Sequence, residues 1–276
     1  MNRSPIVLLL VLFCWVVCCC SGCRDNNNQQ ADSQPASPPP VPLIPYIQKD
    51  FYLHDTTSFT EGFLFHDGQL YEATGHTDQL PSSRSVFGVV DMATGKIRVK
   101  VEKAAYFGEG IAFLRNRVYQ LTYQTHIGFV YDATTFKQVD TFHFANKEGW
   151  GLTTDGHQLI MSDGTDQLTF VDPAGFKPVR ALKVTQNGLP RDSLNELEYI
   201  RGFIYANIWY NDHVVKIDPA SGKVVGQLDL SPLTFQAKLK NPYADALNGI
   251  AYDSTADKVY VTGKLWSNIY EIVFPH

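Results

Sequence analysis

The stretch Phe107-Gly108-Glu109-Gly110-Ile111-Ala112, followed by Arg115-Asn116-Arg117-Val118-Tyr119, decides the fold, because variants of it recur along most of the chain. Glu61-Gly62-Phe63-Leu64-Phe65 runs on to Gln69-Leu70-Tyr71 with the same spacing that leads from Glu109-Gly110 to Arg117-Val118-Tyr119. Trp150-Gly151-Leu152 leads likewise to Gln158-Leu159-Ile160. Two looser copies are Asn195-Glu196-Leu197-Glu198-Tyr199 with Phe203-Ile204-Tyr205, and Asn248-Gly249-Ile250-Ala251-Tyr252 with Lys258-Val259-Tyr260. The starts, at 61, 109, 150, 195 and 248, are 48, 41, 45 and 53 residues apart. Short alternating apolar runs at such a period imply five similar β-structured units.

Each of the first four units carries a second hairpin signal downstream: an apolar run, an Asp, then a turn bearing Gly, Pro or Thr. These are Val90-Asp91 through Gly95-Lys96, Tyr131-Asp132-Ala133-Thr134-Thr135, Val171-Asp172-Pro173-Ala174-Gly175 and Ile217-Asp218 through Gly222-Lys223. Two hairpins per unit make four strands. The sequence therefore predicts an all-β fold, a five-bladed β-propeller with four-stranded antiparallel blades around a central channel. A solenoid is the alternative, but it would leave its end units uncapped. The last unit has room for three strands, and Phe51-Tyr52-Leu53 is expected to supply the fourth and close the ring. A short helix is expected within Leu233 to Asp245.

All five cysteines (Cys14, Cys18, Cys19, Cys20 and Cys23) fall in the first 23 residues, so the remainder holds no disulfide framework and no cysteine metal site. Residues 1–22 carry Arg3, the apolar run Ile6 to Val17 and then small residues, the pattern of an export leader. Cys20-Ser21-Gly22-Cys23 resembles a bacterial lipobox, with Cys23 as the lipidated residue and the membrane reached through that anchor. Residues 23–45 are rich in Asn, Gln, Ser and Pro and read as a disordered tether, leaving residues 46–276 as the propeller domain. The expected location is exported, periplasmic or cell-surface. A net charge of -5 without a basic stripe argues against nucleic acid as a partner.

In a propeller the first strand of each blade lines the channel, so matched positions converge on one axis. Those positions carry Glu61, Glu109, Trp150, Asn195 and Asn248, a polar pocket with an aromatic wall that suits a small ligand. Two buried carboxylates in one channel raise at least one pKa toward neutrality, which is what a general acid and base needs. Glu148 resembles Glu109 by eye but stands two places before the matched Trp150, and it is left out of the expected site.

Phe59-Thr60-Glu61-Gly62, Gly108-Glu109-Gly110, Asp163-Gly164-Thr165, Leu194-Asn195-Glu196-Leu197-Glu198-Tyr199, Ala206-Asn207-Ile208-Trp209, Leu247-Asn248-Gly249-Ile250-Ala251 and Thr262-Gly263-Lys264-Leu265-Trp266 together resemble the plant and bacterial type of glutaminyl cyclase. The resemblance covers about residues 49 to 274. It implies a five-bladed propeller that converts the N-terminal glutamine of peptides or proteins to pyroglutamate with release of ammonia, without cofactor or metal. It assigns the proton shuttle to Glu109 and a holding, tuning role to Glu61, where plant members often carry Gln. Asn195 and Lys264 are candidates for the γ-carboxamide and its developing oxyanion, and Trp150, Trp209 and Trp266 for apolar walls. Tyr123 stands where plant members have another Trp. Asn248 is placed at the substrate, and Asn207 and Asn248 are also candidates to orient catalytic side chains through hydrogen bonds. A monomer is expected. Two other readings of the same residues are a propeller that only binds a ligand, and a metal-dependent, lactonase-like hydrolase whose channel carboxylates hold a divalent cation.

Overall fold

The computed structural model describes residues 39–78 and 80–276. The expected leader, Cys23 and the tether as far as residue 38 lie outside the described residues. Strand β1 (Ile47–Leu53) precedes blade 1, formed by β2 (Thr60–His66), β3 (Gln69–Thr74), β4 (Val86–Val90) and β5 (Ile97–Glu102). Blade 2 is β6 (Gly108–Leu114), β7 (Arg117–Thr122), β8 (Ile127–Asp132) and β9 (Gln138–His143). Blade 3 is β10 (Leu152–Thr154), β11 (Leu159–Met161), β12 (Gln167–Asp172) and β13 (Lys177–Lys183). A small hairpin of β14 (Thr185–Gln186) and β15 (Leu189–Pro190) turns through Asn187-Gly188. Blade 4 is β16 (Leu194–Ile200), β17 (Phe203–Ile208), β18 (His213–Ile217) and β19 (Val224–Asp229). Helix α1 (Ser231–Lys240) leads to β20 (Leu247–Asp253), β21 (Lys258–Gly263) and β22 (Asn268–Val273) of blade 5.

The fourth strand of blade 5 is β1, which pairs antiparallel with β22, Phe51 opposite Tyr270 and Tyr52 opposite Ile269. Both ends of the described chain thus share one sheet, as expected. The first strands β2, β6, β10, β16 and β20 touch in a closed cycle, which makes a ring and excludes the solenoid. These strands are buried almost throughout, whereas β5, β9 and β13 at the rim are mostly exposed. Apolar layers between successive blades form the core. The hairpin signals hold for a local reason: Asp91, Asp132, Asp172 and Asp218 each accept the backbone N–H two residues on, which shapes the turn.

Two boundaries differ from expectation. The helix begins at Ser231, with Pro232 in its first turn, Lys238 and Lys240 in its last, and Leu233 and Ala237 turned inward. The chain from residue 41 is not a free tether. The Ile44 N–H donates to the Gln227 carbonyl at 2.8 Å and the Gln227 N–H to the Pro42 carbonyl at 3.0 Å, so this segment runs along β19. Val41 packs on the apolar layer between blades 3 and 4, and Ile44 on that between blades 4 and 5. Composition hid this, since two aliphatic side chains among prolines are enough when a strand edge is waiting for them.

Candidate active site

Four of the five first strands carry an irregularity at the same place. The register of β2 with β3 shifts across Glu61, that of β6 with β7 across Glu109-Gly110, that of β16 with β17 across Asn195-Glu196, and that of β20 with β21 across Asn248-Gly249. A bulge re-aims the side chain it carries, here at the channel mouth. In blade 3 the matched Trp150-Gly151 continues the ladder beyond β10, through the Trp150 N–H to the Ser162 carbonyl and the Ser162 N–H to the Gly151 carbonyl. Glycine follows because neighbouring blades crowd there. A Cβ on Gly110 would stand 2.4 Å from the Leu152 nitrogen, and one on Gly151 2.2 Å from the Asn195 carbonyl oxygen.

The bulges open onto a cavity of about 180 Å³ lined by Phe59, Glu61, Phe107, Glu109, Tyr123, Trp150, Asn195, Trp209, Tyr210, Asp245, Ala246 and Lys264. A volume of about 150 Å³ suffices for a benzene ring. This cavity therefore takes one amino-acid side chain rather than a folded segment. Its inner end is polar and closed, with Glu61, Glu109, Asn195 and Lys264 at 2, 4, 3 and 7% exposure. Its mouth is aromatic and open, with Trp209 and Tyr210 at 48 and 67%.

The two carboxylates are held differently. Glu61 accepts from the Lys264 ammonium at 2.6 Å and from Asn248 Nδ2 at 3.3 Å. Burial pushes Glu61 up to about 7, opposed by Lys264 and reinforced by Asp245. Glu109 has a buried Oε2 with no hydrogen-bond partner. Burial first, then the Glu61 charge, raise it well above the ordinary carboxylate range; Lys264 opposes this and Glu148 adds to it. One carboxylate is anchored, and its neighbour is left free to exchange a proton.

The walls form two aromatic runs. Phe59 meets Phe107 edge-on at 6.2 Å, and Phe107 meets Tyr123 at 5.6 Å. Trp150 meets Trp209 at 5.7 Å, and Trp209 meets Tyr210 at 5.0 Å. Glu148 joins the runs: it accepts from the Trp150 indole N–H at 2.8 Å and hydrogen-bonds the Tyr123 hydroxyl. Lys264 also lies 4.3 Å from the Phe59 ring centre, a cation–π contact that fixes the ammonium from below.

Of the expected site residues, Glu61, Glu109, Trp150, Asn195, Trp209, Tyr123 and Lys264 come together around this cavity. Two do not line it. Trp266 is fully buried between blades 4 and 5, edge-on to Tyr270 at 6.0 Å, with its indole N–H donated to the Asp245 carbonyl. It is a core residue, not a wall of the site. Asn248 bonds Glu61 and the Thr60 carbonyl, and so holds a carboxylate instead of facing a ligand. Asn207 accepts the Gly249 N–H at 2.9 Å and supports the same bulge. Phe59, Phe107, Tyr210 and Asp245 were missed, and Glu148, left out of the expected site, holds its walls. Phe59 and Phe107 stand two residues before Glu61 and Glu109, a repeat signal that was there to be read, whereas Asp245 sits in an irregular loop with none.

The glutamine cyclotransferase family matches residues 16–274 of this chain. A glutaminyl-peptide cyclotransferase of Arabidopsis thaliana is 40% identical over 224 residues, covering 79% of this chain and 68% of the relative. The crystal structure of Myxococcus xanthus glutaminyl cyclase superposes with a TM-score of 0.78 at 35% identity, covering 86% of this chain and 98% of that one.

Proposed function

The chain belongs to the glutamine cyclotransferase family, and on that premise we propose how its pocket converts an N-terminal glutamine to pyroglutamate with release of ammonia. The observation that carries the proposal is the contrast between an anchored Glu61 and an unpartnered, raised Glu109. The substrate amine has an ordinary pKa near 7.7 to 8.0 and arrives mostly protonated at pH 7. Ammonium with Glu109 carboxylate and free amine with Glu109 carboxylic acid contain the same protons, so either entry gives the same reactive complex.

In that complex the free amine attacks the side-chain carboxamide carbon, forming the ring C–N bond, while Glu109 holds the proton as the carboxylic acid. Glu109 gives that proton to the carboxamide nitrogen, whose C–N bond breaks as ammonia leaves, and the resulting carboxylate takes up the proton that the ring nitrogen sheds. Asn195 and the N–H groups of Lys264 not spent on Glu61 are the donors for the oxyanion formed between these steps. The walls of Trp150 and Trp209 fold the side chain toward its own amine, a proximity effect. Glu61 does not shuttle. Its charge, fixed by Lys264 and Asn248, keeps Glu109 basic enough to take the proton.

Ammonia release from a short Gln-initiated peptide, followed with chelator present and with Glu109→Gln alongside, tests this. Turnover by the wild type alone is expected. Turnover by both proteins would remove Glu109 from the mechanism, and loss of wild-type turnover in chelator would favour the hydrolase reading.

We also propose export and lipidation at Cys23, supported by the apolar run Ile6 to Val17 and by Cys20-Ser21-Gly22-Cys23. Incorporation of a labelled fatty acid, abolished by Cys23→Ala, is the expected result; equal labelling of both proteins would reject the site. A monomer is the expected state in light scattering.

A further inference from the structure

Asp245 lines the cavity, yet the cyclisation just described does not use it. Three hydrogen bonds fix it in place. Its N–H donates to the Lys264 carbonyl at 2.8 Å, its carbonyl accepts the Trp266 indole N–H at 2.9 Å, and its Oδ1 accepts the Ala246 N–H at 2.8 Å. Its Oδ2 has one long contact, the Tyr210 hydroxyl at 3.5 Å. Among the described residues no Lys, Arg or His forms an ion pair with it, although Asp55, Asp132 and Asp257 all have one. Asp245 is a rigidly placed, half-buried anion with accepting capacity to spare.

Its place in the cavity matters. The closed inner end holds the groups that act on the glutamine side chain and amine. The carbonyl carbon of that glutamine must therefore lead outward, past Trp209 and Tyr210, the exposed part of the wall. The next residue of the substrate then lies at the rim that Tyr210 and Asp245 share. Lys264 is the one cation among the described residues that line the cavity, and its ammonium is paired with Glu61 at 2.6 Å. The Asp245 carboxylate is therefore left without an ion-pair partner of its own.

We propose that Asp245 is a specificity-determining residue that reads the second residue of the substrate, favouring Lys or Arg there and disfavouring Asp or Glu. This rests on the cyclase reading of the same pocket. Rim charges act through water and are screened by salt, so the effect is moderate and falls with ionic strength.

The test compares kcat/KM for C-terminally amidated Gln-Lys-Ala, Gln-Ala-Ala and Gln-Glu-Ala with the wild type and Asp245→Asn, which keeps an acceptor for the Ala246 N–H. At low salt the wild type is expected to prefer the Lys over the Glu peptide by about tenfold, and Asp245→Asn to reduce that ratio to about twofold. A ratio unchanged by the substitution would overturn the proposal. Should the variant fold poorly, the wild type decides alone: raising NaCl from about 20 mM to 500 mM is expected to collapse the ratio, and a salt-independent ratio would overturn the proposal. Ammonia release from Gln-Ala-Ala separates the two levels. If it occurs without a Lys-over-Glu preference, only the role of Asp245 fails; if no peptide is turned over, the cyclase reading fails and this inference with it.

Discussion

The channel mouth and the channel interior each bury two glutamates, and one of these four is held unlike the other three. At the mouth, Glu109 keeps an oxygen without any partner. Deeper, Glu196 accepts the Ile250 N–H at 2.8 Å and the Phe63 N–H at 3.3 Å, tying blade 4 to blades 5 and 1. Glu198 accepts the Tyr252 N–H at 2.9 Å and the Thr153 hydroxyl at 3.4 Å, tying blade 4 to blades 5 and 3. Glu196 occupies the repeat position that is glycine in the other four units. Where glycine lets two strands crowd, this carboxylate spans the gap instead. Burial raises all of these groups, so a raised pKa does not separate catalysis from structure. Among Glu61, Glu109, Glu196 and Glu198, unspent hydrogen-bonding capacity does.

The largest expected effect follows from that difference. Glu109→Gln removes a proton shuttle worth about 10² to 10⁴ in rate, and it also removes a buried ionisable group with nothing to pair it. Turnover is expected to fall by about a thousandfold while thermal stability is unchanged or higher. Glu196→Gln should do the reverse. An amide in place of the carboxylate can satisfy only one of the two backbone N–H groups, and the other is left buried at a cost of about 1–3 kcal/mol. A lower urea midpoint with kcat within a few-fold of wild type is the expected pair of readings. Loss of kcat at full stability in Glu196→Gln would break the comparison.

The pH dependence of stability sharpens it. Burial raises Glu198 to about 8 and Glu196 well above its ordinary range. Between the ordinary carboxylate range and about 8, the native state keeps a proton at Glu198 that the unfolded chain has released. The unfolded state then binds fewer protons, so stability falls as pH rises through that window and levels off above it. Unfolding free energies from urea titrations at pH 5 and pH 8.5 are expected to differ by a few kcal/mol in favour of the lower pH, with Glu198→Gln reducing the slope. A midpoint that climbs with pH would mean that the interior carboxylates are charged and paired. Activity should move the other way. The acid limb of kcat/KM belongs jointly to Glu61, pushed up to about 7, and Glu109, raised well above the ordinary carboxylate range. Because Lys264 holds Glu61 down, Lys264→Met should shift the limb to higher pH as well as lower the rate.

What the sequence disclosed follows the same division. The repeat made the ring, the blade count and the convergence of Glu61, Glu109, Trp150 and Asn195 legible, because period and register are properties of a string. The partners of those side chains were not legible. Glu148 was set aside for being out of register, yet it holds Trp150 and Tyr123 from behind the repeat position. Trp266 read as a wall through the family resemblance, but its ring turns into the layer between blades 4 and 5. A strand sends successive residues to opposite faces, and beyond its end the loop conformation decides, which no periodicity encodes.

The smallest effect tests the comparison from outside the channel. Residues 41–45 add two backbone hydrogen bonds to Gln227, a bond from the Val41 N–H to Asn187 Oδ1, and the burial of Val41 and Ile44. No atom of that segment lines the cavity. Shortening the chain to begin at residue 41 should therefore leave both melting temperature and kcat unchanged. Beginning it at residue 46 removes contacts worth about 1–2 kcal/mol, which in a domain of this size lowers the melting temperature by roughly 2–8 °C. In both, kcat at 25 °C should equal that of the full chain. The shorter form exposes the edge of β19 and leaves the Gln227 N–H and carbonyl to water, a loss that the distant mouth does not feel unless blades 4 and 5 loosen together. A fall in kcat that tracks the fall in melting temperature would show that they do, and that the site depends on how firmly these two blades are laced.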